Sequence, residues 1–138
     1  MQLSIRVKTE LVRQGLENLS QEMPAIGRRR MRTVLERVKR VMEAYPAERP
    51  GQTYKRTGNL FSGWRLRQLE NNKGYSLGNV REYAQYVVGD AYGTSQAWMH
   101  KGRWSNFRDV TEKELEAVPE ELEKEIVMVA RREGFDVT

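Results

Sequence analysis

The first residues alternate, Leu3, Ile5 and Val7 against Ser4, Arg6 and Lys8, which is the period-two pattern of a half-buried strand. The period then lengthens. After Thr9, a residue suited to cap a helix, Val12, Leu16, Leu19 and Met23 recur at helical spacing. Gly15 weakens that run by about 1 kcal/mol relative to alanine. Pro24 suits a first helical turn, so the pattern predicts a second helix starting there, after a break or only a kink. This second helix is the plainest periodic segment, with Met31, Val34, Leu35, Val38, Val41, Met42 and Tyr45 on one face. It ends at Tyr45-Pro46, because a residue before proline is pushed out of the helical region.

A loop over 46–59 follows, punctuated by Pro46, Pro50, Gly51 and Gly58; loops of this length are commonly functional or mobile. From Leu60 a strand is expected, with Leu60, Trp64 and Leu66 on one face and Arg65 and Arg67 on the other. Asn71-Asn72-Lys73-Gly74 is turn chemistry, and Tyr75 and Leu77 alternate along a returning strand. Tyr83, Ala84, Val87 and Val88 predict a short helix closed by Gly89, and a second loop covers 89–106. Thr111-x-x-Glu114 reads as a capping box. Pro119 with Glu120 and Glu121 starts the last helix, Leu122, Ile126, Val129 and Ala130 form its buried stripe, and Gly134 closes it. The expected architecture is one α+β domain over residues 1–138. A small antiparallel sheet (the N-terminal strand plus the central hairpin) packs against two N-terminal helices and a C-terminal helix.

Composition narrows the chemistry. The 138 residues include no cysteine, so a disulfide framework or thiolate metal site is excluded. No apolar stretch is long enough to span a membrane, and no secretory leader is visible. The net charge of +5 is unevenly spread. Arg28, Arg29, Arg30, Arg32, Arg37, Lys39 and Arg40 stand against Glu36 alone, a local net of +6. Between 112 and 125, seven glutamates stand against two lysines, a local net of −5. The basic helix is a candidate for DNA or for a neighbouring subunit, and the acidic segment is a candidate for the complementary surface. Ordinary pairing within the chain gives the same composition.

No enzyme chemistry emerges from the residues. His100 is the single histidine and has no cysteine or second histidine to work with. Gly89 and Gly93 lack the lysine and helix of a phosphate loop, and no carboxylates sit at metal-ligand spacing. Neither a cofactor nor a metal is expected.

Three blocks carry more information. Tyr54-Lys55-Arg56-Thr57-Gly58-Asn59-Leu60-Phe61-Ser62-Gly63-Trp64 resembles the Y-x-R-T-G-x-L-x-x-S-W motif of small tail-associated proteins of long-tailed bacteriophages and prophages. These are the minor tail, tail-component, tail-completion and head–tail neck proteins. Tyr83-Ala84-Gln85-Tyr86-Val87 is similar to the Y-A-x-Y-V of that family, and Gln96, His100, Gly102 and Trp104 to its Q…H…G-W ending. Trp98 lies within this last block. Gly63 departs from the motif, standing where serine commonly precedes the tryptophan, and GDAYGTSQ is longer than a compact loop.

The resemblance implies a structural, non-enzymatic virion part near the head–tail junction, made in the host bacterial cytoplasm. It implies a ring-like homo-oligomer docking on other head–tail and tail proteins, with non-specific DNA contact as a further option. Trp64 and the segment from Tyr83 to Val88 are expected to hold the fold, and the loops bearing Thr57-Gly58 and Gln96–Trp104 to meet partners. The rival reading is a free-standing basic α+β nucleic-acid-binding protein, a regulator or a toxin-like RNA binder.

Overall fold

The structure, a computed structural model, describes residues 9–53, 55–70 and 74–135. The expected strand at Leu3, Ile5 and Val7 and the turn residues Asn71, Asn72 and Lys73 lie outside these, as does Tyr54.

The two expected N-terminal helices are one. Helix α1 (Thr9–Glu43) runs 35 residues straight through Pro24. A proline removes one N–H and one intrahelical bond. Here Pro24 and Ser20, whose carbonyl loses that bond, are both exposed, which leaves that carbonyl open to solvent. The core-facing stripe is confined to the later turns, where Ile26, Val34, Val38 and Met42 are at most 2% exposed. Leu16 and Met23, expected on a buried face, are instead exposed.

The strand expected from Leu60 begins later. Leu60 belongs to a single helical turn, α2 (Asn59–Ser62), and the strand β1 spans Trp64–Gln68. It pairs antiparallel with β2 (Tyr75–Asn79), Trp64 opposite Asn79 and Leu66 opposite Leu77. Gly63 marks the join. A Cβ there would lie 2.3 Å from Asn79 Oδ1 and 2.9 Å from Arg81 Cγ. Asn79 cannot yield cheaply, because its Nδ2 donates to the Leu60 carbonyl at 2.8 Å and its Oδ1 accepts from the Arg81 amide at 2.9 Å. Gly63→Ala is therefore expected to destabilise the protein by about 1–3 kcal/mol, read as a fall in the urea midpoint with an unchanged slope.

Helix α3 (Ala84–Val88) is the short helix expected, ended by Gly89 at φ 84°. The capping box at Thr111 is corrected. Helix α4 (Phe107–Glu116) has already begun, and its cap is Asn106, whose side chain accepts from the amides of Arg108 and Asp109. The Thr111 hydroxyl instead donates to the Phe107 carbonyl at 2.7 Å. Helix α5 (Val118–Arg132) carries Pro119 in its first turn and Arg131 and Arg132 in its last.

The fold is α+β, with α1 lying along both strands, α4 and α5. The core gathers where α1 ends, from Val38, Met42, Leu60, Trp64, Ala84, Val88 and Trp104. Its rings meet in pairs, Trp64 with Phe107 at 5.3 Å and Tyr45 with Trp104 at 5.1 Å between centroids.

The charge polarisation is largely spent inside the chain. Asn18 bonds Glu133, Glu22 pairs with Arg132, Arg29 and Arg30 with Glu125, and Arg37 with Glu121. As the α1 number rises its partner's number falls, which is the signature of antiparallel packing. Arg32 and Lys39 pair with Glu36 and Glu43 one turn on. Arg28 and Arg40 make no ion pair among the described residues.

These pairs set an acid dependence. Hydrogen bonding from Arg37 holds Glu121 below the usual carboxylate range, and hydrogen bonding from Arg29 does the same for Glu125. Their folded-state pKa values are depressed. The stability they add is thus complete above the unfolded value near 4.5 and is lost as pH falls below it. Melting temperature should drop below about pH 4.5, and Glu121→Gln with Glu125→Gln should flatten that slope.

Candidate functional site

The three blocks converge on one structural unit. In the first, Gly58 sits at φ 76°, a left-handed conformation that starts α2 and that a side chain adopts only with strain. Thr57 Oγ1 accepts weakly from the Asn59 amide at 3.4 Å. The Phe61 amide donates to the Tyr45 hydroxyl at 2.7 Å, tying α2 to the end of α1. Leu60 and Trp64 point into the core. In the second block Ala84 faces inward, as does Val88 just after it, while Tyr83 and Tyr86 are exposed and Val87 is half-buried.

The third block divides. Gln96 and Trp104, expected in a partner-facing loop, are interior, at 8% and 9% exposure. The Gln96 amide nitrogen donates to the carbonyls of Val87 at 2.9 Å and Trp104 at 3.1 Å, and its oxygen accepts from Asn106 Nδ2 at 3.2 Å. One side chain thus joins the end of α3, the loop and the cap of α4. Trp98 is the opposite case, 81% exposed. The Ala97 amide donates to the Tyr86 carbonyl at 2.7 Å, which brings the Trp98 loop against α3. Gly102, at φ 73°, is exposed.

Neighbouring residues not singled out by sequence add to the exposed aromatic character, notably Tyr92 and Phe61. The loop carrying Tyr92 is held by Asp90, whose carboxylate accepts from the Tyr92 and Thr94 amides and the Thr94 and Ser95 hydroxyls. The Thr94 and Ser95 hydroxyls lower its pKa to about 2. Asn79 and Asn106 are structural residues that sequence reading missed. Asn106 was findable, since asparagine before Phe107 with Asp109 three places on is a helix-start signature.

Between the first and third blocks lies a cavity of about 320 Å³, lined among others by Tyr45, Lys55, Arg56, Thr57, His100 and Trp104. The Arg56 guanidinium carbon is 5.5 Å from the Tyr45 ring centre and 5.3 Å from that of Trp104. His100 stands edge-on to Trp104 at 6.2 Å. Burial, with Arg103 and Arg49 nearby, lowers the His100 pKa.

Charge redistributes once the α1–α5 pairs are set aside. Residues 44–108 hold ten Lys and Arg against four Asp and Glu, a net of +6, whereas the two flanking stretches together carry −1. Arg49 donates to the Met99 carbonyl and Arg103 to that of Ala47, tying loops without losing charge, whereas Arg108 donates to the Tyr92 carbonyl and pairs with Glu112. Among the described residues no group of histidine and carboxylate side chains could hold a metal ion, and no helix is long and apolar enough to cross a membrane.

Comparison with family models, with curated proteins and with solved structures finds no match.

Proposed function

We propose that this chain is a non-enzymatic structural component of a long-tailed phage or prophage virion. It acts near the head–tail junction or in the tail by self-association and by docking on other tail proteins. The observation that carries this reading is the way the motif residues sort. Leu60, Trp64, Ala84, Gln96 and Trp104 knit three separate blocks into one scaffold, while Tyr83, Tyr86 and Trp98 from the same blocks stand exposed. Exposed aromatic side chains on a rigid scaffold are favoured anchors at protein interfaces. A ring requires two different surfaces on each subunit, and the exposed aromatic loops supply one.

Light-scattering mass with negative-stain imaging tests the reading. Closed rings of the purified protein are the expected result. A monomer at high concentration and low salt would count against autonomous ring formation.

One observation keeps the nucleic-acid reading as the second choice, the net +6 of residues 44–108. It moves the candidate DNA contact from α1 to the hairpin and loops, around Arg65 and Arg67. Under that reading filter binding should show tight, salt-sensitive affinity. Weak, sequence-independent binding is what the virion reading expects.

A further inference from the structure

We infer that the cavity between the Arg56 and His100 loops is a binding site for a carboxylate, presented as the side chain of an acidic peptide segment of a protein partner. The argument starts from Arg56. Tyr45 and Trp104 lie close to its guanidinium, in cation–π range. Aromatic stacking leaves the donors at a guanidinium's edges to be satisfied separately. Nη1 donates to the Pro46 carbonyl. Nε and Nη2 are buried and have no partner, and Arg56 makes no ion pair among the described residues. Those two nitrogens form the side edge of the fork, whose spacing matches the two oxygens of a carboxylate.

Two further buried and unpartnered polar atoms belong to residues that line the same cavity, Trp104 Nε1 and His100 Nδ1. A buried polar group without a partner is costly, and a buried charge without a counter-charge more so. One carboxylate would answer the guanidinium edge and leave the indole N–H and the imidazole as additional donors. Lys55 also lines the cavity and is exposed, adding a second cation. The volume is in the range of small ligand pockets. Phosphate also suits a guanidinium fork, so inorganic phosphate is the competing ligand that the test must separate from a carboxylate. The inference stands on the cavity alone and does not depend on the virion reading.

His100 is the only histidine in the chain, so its imidazole gives one unambiguous NMR titration. The probe is a short capped peptide containing one glutamate, compared with the same peptide bearing glutamine and with inorganic phosphate, all at matched ionic strength. The glutamate peptide should bind saturably and move the His100 titration midpoint up by about one pH unit, while the glutamine peptide leaves it unchanged. Arg56→Gln should abolish the response. Lys55→Gln, at an exposed position, should weaken the response several-fold while the fold is retained, which keeps the test informative if the Arg56 variant is unstable. The inference is overturned if both peptides act alike, if neither acts, or if phosphate matches the glutamate peptide.

Discussion

Trp64→Ala should cost about 3–5 kcal/mol of folding stability, the largest loss expected from any single truncation in this chain. Trp64 is 3% exposed and sits where α1, the hairpin and α4 meet, its ring 5.3 Å from that of Phe107. Removing the indole takes away the wall shared by Val38, Met42, Leu60 and Ala84. The neighbours belong to separate elements and cannot collapse together into the gap. Trp64→Phe is the informative companion. The indole Nε1 is buried without a partner, so phenylalanine discards an unsatisfied donor along with part of the ring. We expect it to retain most of the stability in urea denaturation followed by circular dichroism. Equal losses for the two variants would mean that the indole N–H contributes a bond that the packing argument omits.

Gln96→Leu should be nearly as damaging, by about 2–4 kcal/mol, for the opposite reason. Volume is roughly conserved, but the carbonyls of Val87 and Trp104 lose their donor and Asn106 Nδ2 loses its acceptor. Gln96→Glu keeps the shape and removes the amide donor. Its ionised carboxylate would face two carbonyl oxygens, so its folded-state pKa would be raised. A raised value means stability that is present at low pH and lost as pH rises, so this variant should recover partly on acidification. That is the reverse of the acid sensitivity expected of the α1–α5 pairs. Thermal melts across the acid range distinguish the two, and a Gln96→Glu variant insensitive to pH would show that residue 96 is hydrated.

The parts of the fold legible in sequence are those fixed by local chemistry. The last helix was readable at both ends because Pro119 and Gly134 act within a turn of where they sit. The Val34, Val38 and Met42 face was readable because its period survives in the core. Pro24 was misread because continuity of α1 depends on α5 lying alongside, a contact between residues about a hundred positions apart. Leu60 was misread because Gly58 opens a helical turn before the strand, and an apolar residue two places after a glycine fits either. Within the three blocks, which residues are interior was not legible. Trp98 and Trp104 have similar loop surroundings in sequence, and only the closure of the loop by Gln96 separates them. The opposite charges of α1 and of residues 112–125 were plain, whereas their meeting within one chain was not.

That meeting has a consequence for synthesis. Until α4 and α5 emerge from the ribosome, residues 1–108 carry twenty Lys and Arg against nine Asp and Glu, a net of +11 rather than +5. The acids that neutralise α1 are made after it. A chain that has not yet added residues 109–138 is therefore a stronger polycation than one that has. Helix α5 is thus an internal counter-ion for α1, and the order of synthesis leaves the basic helix unneutralised until α5 has formed against it.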